Sequence, residues 1–223
     1  MSQVVSNLIR LKDSIPSNCT LVAVSKTKPS SDIMNCFNAG HLDFGENKVQ
    51  ELVKKAEELP KTIRWHMIGH LQRNKVKFIV PFVHLIHGVD SFKLLAEINK
   101  RAKTEEKIIH CLLQVHIAEE ESKFGFDREE LLTMLHSEEF KQLNHIQVQG
   151  LMGMATFTDK QDQVRREFQV LKGLFEELKT LELKSLKMEL LSMGMSGDYL
   201  LALEEGSNMI RVGSSIFGTR NKN

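Results

Sequence analysis

Cysteine is scarce in this chain. Cys19, Cys36 and Cys111 are odd in number, widely spaced and outside any Cys-x-x-Cys. That usage excludes a disulfide scaffold and fits a reducing compartment. Charge of one sign is also missing. Thirty Lys and Arg against 29 Asp and Glu leave a net charge of +1, which argues against a generic polyanion binder such as a nucleic-acid protein. Long apolar runs are absent: Phe78-Ile79-Val80-Pro81-Phe82-Val83 is far short of the roughly 20 residues a membrane helix requires. The amino terminus lacks the apolar core of a secretory signal, so no membrane association and a cytoplasmic location are expected. No Pro-, Gly- or Ser-rich linker and no low-complexity run divides the 223 residues, which suit a single core. One domain over 1–223 is expected. Nine histidines invite a metal search, but His66/His70 and His84/His87 lack HExxH context. His66 lies in a strand-like run and His70 follows a glycine, so a structural role is expected and no metal.

What is present is an eightfold alternation of short apolar runs and amphipathic stretches. Strands are predicted over 21–25, 42–44, 63–68, 83–87, 108–117, 146–152, 188–192 and 210–212. Helices are predicted over 2–13, 31–39, 47–58, 92–103, 128–135, 161–178 and 199–205. In the 161–178 segment Val164, Phe168, Leu171, Leu174, Phe175 and Leu178 fall on one stripe, which is a packing face. Ser31 or Asp32 is the expected cap after Pro29 and Asp198 the expected cap after Gly197, while Gly40 and Gly206 close their helices. Regular βα alternation implies a parallel sheet with right-handed crossovers, and eight units close it. The expected fold is α/β, a single (β/α)8 TIM barrel with an extra N-terminal helix; an open doubly wound sheet is the alternative. The run Ala118-Glu119-Glu120-Glu121-Ser122-Lys123 is expected to be a solvated loop.

Reactive groups of such barrels gather at the carboxyl ends of the strands. Position alone puts Lys26, Glu46, Asn47, Gly69, His70, Asp90, Ser91, 192–196 and 211–215 there. Lys26 ends the apolar run Leu21-Val22-Ala23-Val24-Ser25, and desolvation favours the free amine that condensation with an aldehyde requires. A solvated lysine, like Lys28 two residues on, is the plainer alternative. Ser192-Met193-Gly194-Met195-Ser196-Gly197 and Arg211-Val212-Gly213-Ser214-Ser215 can present backbone N–H groups to a phosphate, or can simply relieve turn strain. Loops after strands seven and eight are the usual phosphate site of the barrel. An amine and a phosphate cradle are the minimum parts for binding pyridoxal 5′-phosphate.

Several strings resemble the pyridoxal-phosphate homeostasis protein family: Ala23-Val24-Ser25-Lys26-Thr27-Lys28, Phe44-Gly45-Glu46-Asn47-Lys48-Val49-Gln50-Glu51, and Trp65-His66-Met67-Ile68-Gly69-His70-Leu71-Gln72-Arg73-Asn74-Lys75. Gly150-Leu151-Met152, Ser192-Met193-Gly194-Met195-Ser196 and Arg211-Val212-Gly213-Ser214-Ser215-Ile216-Phe217-Gly218 extend the likeness over nearly the whole chain. The resemblance implies a barrel similar to the amino-terminal domain of alanine racemase, holding pyridoxal 5′-phosphate as a reversible aldimine on Lys26. It implies phosphate contacts at Ser192, Met193, Ser196, Gly213 and Ser214, Arg211 at the pyridine nitrogen, and Asn47 near the ring. The implied role is cofactor carriage in vitamin B6 and amino-acid homeostasis, with recipient apo-enzymes as partners and no efficient turnover. One departure is Phe124 in Lys123-Phe124-Gly125-Phe126, where the family typically carries a smaller or polar residue.

A racemase or lyase reading is the alternative. Racemisation needs an acid/base on each face of Cα, and alanine racemase takes the second, a tyrosine, from an additional domain. The chain is expected to end where the barrel closes, which favours a monomer, and its one tyrosine, Tyr199, stands at a predicted helix start. A cation at position 211 would keep the pyridine nitrogen unprotonated and weaken the electron sink. A Schiff-base aldolase acting on a sugar phosphate is the third reading.

Overall fold

The computed structural model describes residues 2–119 and 124–218. These form a closed barrel of eight parallel strands in sequential order. The strands are Thr20–Val24 (β1), Asp43–Glu46 (β2), Arg64–Met67 (β3), Leu85–Val89 (β4), Ile109–Val115 (β5), Ile146–Gly153 (β6), Leu186–Ser192 (β7) and Met209–Val212 (β8). Closure comes from β8 lying against β1 with Leu21 opposite Ile210 and Val22 opposite Arg211. The (β/α)8 expectation holds, and so does the preceding helix, Gln3–Asp13 (α1). Of the charged run expected as a loop, residues 120–123 lie outside the described residues.

Both faces of the strands are apolar because each meets a different core. Leu21, Ala23, Phe44 and Ile210 face outward and pack with helix residues such as Ile33, Leu52, Phe168 and Leu171. Val22, Leu85, Leu112, Met152 and Met209 face inward and form a smaller cluster. Successive residues of a strand alternate between the two, as a period of two requires. That alternation carries inward-facing positions up from Val22 and Met209 toward Lys26 and Arg211.

The helices follow the predicted stripes: Ser30–Asn38 (α2), Val49–Glu58 (α3), Phe92–Thr104 (α5), Arg128–His136 (α6), Gln161–Leu178 (α8) and Tyr199–Glu204 (α9). Three short helices escaped the periodic signal, Val76–Ile79 (α4), Glu138–Lys141 (α7) and Ser214–Phe217 (α10). Four residues make barely one turn, too few for a 3.6 repeat to register. Gly40 and Gly206 do end α2 and α9. Each has positive φ, and the amides of His41 and Ser207 reach back to the carbonyls of Cys36 and Ala202.

Two expected caps differ. Helix α2 begins one residue early, with Pro29 at the cap position and no side-chain bond from Ser31 or Asp32. Asp198 stands before α9 but accepts from the Met195 amide at 2.5 Å, so it braces the turn rather than the helix. Asp127 is a true cap, accepting from the Glu130 amide at 2.7 Å at the start of α6. Asp127→Ala is expected to lower the unfolding free energy by about 1 kcal/mol. A urea titration would show this as an earlier midpoint at unchanged slope; an unmoved midpoint would contradict it.

Candidate functional site

The carboxyl ends of the strands surround a cavity of about 950 Å³. Lys26, Asn47, Ser196, Arg211, Gly213 and Ser214 all line it. Ser192 and Met193 do not: both are fully buried. The Ser192 side chain turns toward Arg211 and His87 instead. Its hydroxyl is spent on Arg211 Nη1, 2.6 Å away, and on His87 Nδ1 at 3.3 Å.

Lys26 follows β1 in a turn whose two flanking residues are pinned. The Ser25 hydroxyl donates to Glu46 Oε1 at 2.6 Å, and the Ser25 carbonyl accepts from Lys55 Nζ at 2.9 Å. Thr27, a β-branched residue held at φ 63°, donates its amide to Glu51 Oε1 at 2.6 Å. Such a conformation costs about 1–3 kcal/mol and persists only when neighbours over-determine it. Lys55 is the hub, reaching Glu46 at 2.8 Å and Glu51 at 2.7 Å. Burial lifts the Glu46 carboxyl above its ordinary range despite the Lys55 and Ser25 hydrogen bonds, and its Oε2 has no hydrogen-bond partner among the described residues. Half-buried Lys26 thus projects into the cavity from a rigid mount.

The adjoining rim, after β7 and β8, can hold an anion. Residues 193–197 leave β7, and the Gly194 carbonyl accepts from the Arg211 amide at 3.0 Å, tying this loop to β8. The Gly213 amide donates to Ser196 Oγ at 3.3 Å. A Cβ on Gly213 would stand 3.1 Å from the Val24 carbonyl oxygen, so glycine lets the loop after β8 lie against the end of β1. Exposed Ser214 and Ser215 open α10, where a helix start leaves amides without acceptors of its own.

Arg211 forms the floor. It is 4% exposed and donates to the Ser192 carbonyl at 2.9 Å and the Gly153 carbonyl at 3.1 Å. Burial lowers its pKa to about 10, with Asp198 acting the other way, so it is a cation at neutral pH. Ile68 and Met154 give the wall apolar surface suited to a flat ring. Phe124, the departure noted in the sequence, stacks on His70 with ring centroids 4.6 Å apart, and its carbonyl accepts from Gln114 Nε2 at 2.7 Å. His70 in turn contacts Asp90 at 3.1 Å, so these strand-end residues build a side wall. Tyr199 packs on the outer core and is not among the lining residues.

Asp43, His66 and His84 place potential ligand atoms within 4.8 Å of one another. His66 already spends both ring nitrogens on His87 and Asp43, and Arg64 holds the second oxygen of Asp43. A guanidinium on the carboxylate opposes a second cation there. The sequence missed Lys55 and Glu51 because an i,i+4 charge pair on α3 looks like any solvated helix face. The inward histidines were readable: His66 is two residues before Ile68, on the same strand face.

With this geometry in place, similarity to known proteins narrows the class. Residues 1–221 match the family described as alanine racemase, N-terminal domain. The alanine racemase from Bartonella henselae has a like fold, with a TM-score of 0.74 at 14% identity, covering 97% of this chain and 58% of that chain. Similarity is higher to the pyridoxal phosphate homeostasis protein of Haemophilus influenzae, 37% identical over 204 residues, 90% of this chain and 85% of that protein. PipY of Synechococcus elongatus PCC7942, solved with PLP bound, superposes with a TM-score of 0.87 at 33% identity, covering 96% of this chain and 100% of that chain. The chain belongs to the pyridoxal phosphate homeostasis protein family.

Proposed function

We propose that this protein binds pyridoxal 5′-phosphate reversibly and covalently through Lys26, and that it acts as a carrier in vitamin B6 and amino-acid homeostasis. One observation carries the reading: a single cavity is lined by an amine, a buried guanidinium and two anion-ready loops. When bound, the cofactor supplies an aldehyde that an amine can capture. Lys26 provides that amine from its pinned turn. Ser196, Gly213 and Ser214 hold the phosphate, and Asn47 lies beside the ring. Arg211 faces the pyridine nitrogen, Ser192 acts through Arg211, and Met193 supports the loop from beneath. The binding unit is the one barrel domain over 1–223. Recipient apo-enzymes are the proposed partners, the cytoplasm the proposed place of action, and no second subunit, nucleic acid or membrane is required. No helix among the described residues is long and apolar enough to cross a membrane.

A cation beside the pyridine nitrogen favours its unprotonated form and weakens the electron withdrawal on which racemase and lyase chemistry depends. Two measurements separate the readings. Protein incubated with pyridoxal 5′-phosphate is expected to acquire a visible absorption band distinct from the free cofactor; a sugar-phosphate aldolase would acquire none. Loaded protein incubated at length with L- or D-alanine is expected to epimerise or consume it no faster than free cofactor does. A rate far above that background would establish the enzyme reading instead.

A further inference from the structure

A polar line crosses the barrel interior beneath the cavity. Ser192 on β7, His87 on β4, His66 on β3 and Asp43 on β2 are all buried, at 7% exposure or less. Starting from Arg211, Nη1 lies 2.6 Å from Ser192 Oγ, which lies 3.3 Å from His87 Nδ1. His87 Nε2 is 2.9 Å from His66 Nδ1, and His66 Nε2 is 3.1 Å from Asp43 Oδ1. Arg64 holds the far oxygen of Asp43, and the His84 ring lies 5.3 Å from that of His66.

The ends fix the direction of every bond between them. A guanidinium only donates and a carboxylate only accepts. Burial would raise the Asp43 carboxyl, but hydrogen bonds from His66 and Arg64 hold it below its ordinary value, so it is an anion. His66 therefore carries a proton on Nε2. Burial, reinforced by the nearby Arg211 cation, keeps His87 neutral, with one ring proton to place. On Nε2 that proton donates to His66 Nδ1, leaving His87 Nδ1 to accept the Ser192 hydroxyl. The Ser192 oxygen then accepts from Arg211. Each contact has one donor and one acceptor, all running from Arg211 to Asp43. The opposite His87 tautomer would need a second proton on His66, placing another buried cation in the interior that already holds Arg211.

We infer that Asp43, His66 and His87 are positioning residues for Arg211, acting through a one-way hydrogen-bond line that turns the Ser192 lone pair toward the guanidinium. Its meaning for the cofactor rests on the proposed placement of Arg211 at the pyridine nitrogen; the line itself needs no ligand.

The test begins with protein to which no cofactor is added, labelled with 15N in histidine and arginine. Long-range 1H–15N spectra at neutral pH are expected to show His66 and His87 each protonated on Nε2 alone, with slowly rotating Arg211 Nη groups. A proton on Nδ1 of either ring would overturn the line. In His87→Leu the Arg211 Nη signals are expected to average, and in His87→Gln, which again offers one acceptor and one donor, to stay resolved. Should His87→Leu not fold, Asp43→Asn removes the charge that sets the direction and is expected to mix the His87 tautomers. In cofactor-loaded protein, His87→Leu is expected to move the pH midpoint of the visible band by about one unit or more, a tenfold change in proton affinity, with His87→Gln unmoved. Unchanged Arg211 signals and an unchanged midpoint in His87→Leu would sink the positioning role. Failure to take up pyridoxal 5′-phosphate at all would instead refute the proposed function, leaving the ligand-free spectra to decide the line.

Discussion

Lys26→Ala is expected to abolish covalent retention of pyridoxal 5′-phosphate. The variant should stay colourless after soaking and desalting, and a borohydride-fixed adduct should fall to background. The cavity wall of Ser196 and residues 213–215, the proposed phosphate rim, is untouched by this change, so weak reversible binding should survive. Losing the amine is expected to weaken affinity by about two orders of magnitude or more, equivalent to about 3 kcal/mol. Lys26→Arg separates charge from chemistry: it keeps a cation at the position but cannot condense with an aldehyde. It should therefore resemble Lys26→Ala in colour while retaining tighter binding to the phosphate ester. The fold should be unaffected in both, because Lys26 is half-buried at a cavity wall rather than packed in either core. A coloured Lys26→Ala protein would move the linkage to another amine, with Lys28 the nearest along the chain and also on the cavity wall.

Lys55→Met is expected to have the largest effect on stability. Its ammonium is the sole cation paired with fully buried Glu46 among the described residues, and it also holds Glu51 and the Ser25 carbonyl. Breaking a buried pair by removing one partner costs about 3–5 kcal/mol because a charge is left uncompensated. The pH dependence follows from the sign of the Glu46 shift. Burial already raises its pKa above 4.5, and loss of Lys55 raises it further. A carboxyl whose folded pKa is raised holds its proton more tightly in the folded state, so its contribution is complete below the ordinary value. That contribution is lost as pH rises through the folded value. Urea titrations of Lys55→Met should therefore show a severe deficit at neutral pH that shrinks as pH falls toward 4.5. Adding Glu46→Gln should restore much of the neutral-pH stability. An equal deficit at every pH would contradict the uncompensated-charge account. Because Lys55 also steadies the turn around Lys26, cofactor uptake by the single variant should fall as well.

The barrel was legible in the sequence because its signals repeat. Apolar runs of strand length recur eight times, and α8 shows its stripe over 18 residues with boundaries that match the prediction. Strand β2 was placed early, at 42–44 rather than Asp43–Glu46, since Gly45 and Glu46 carry no apolar signal yet are fully inside the fold. The cavity-lining residues were legible through strand-end position and resemblance together. The mount of Lys26 was not. Glu51 and Lys55 are ordinary helix charges until α3 presses them against the end of β1, a tertiary contact no local pattern encodes. The bonds of the Ser192 side chain were hidden for a related reason. Its place in a serine- and glycine-rich turn suggests a donor to phosphate, whereas strand alternation turns its side chain inward, onto Arg211 and His87.

The central claim is tested most directly by reducing cofactor-soaked protein with borohydride, digesting it and mapping the modified residue by mass spectrometry. The expected result is one pyridoxyl-phosphate adduct, on Lys26. An adduct confined to Lys28 or to any other lysine, or no adduct under conditions that reduce a control pyridoxal-phosphate protein, would contradict it.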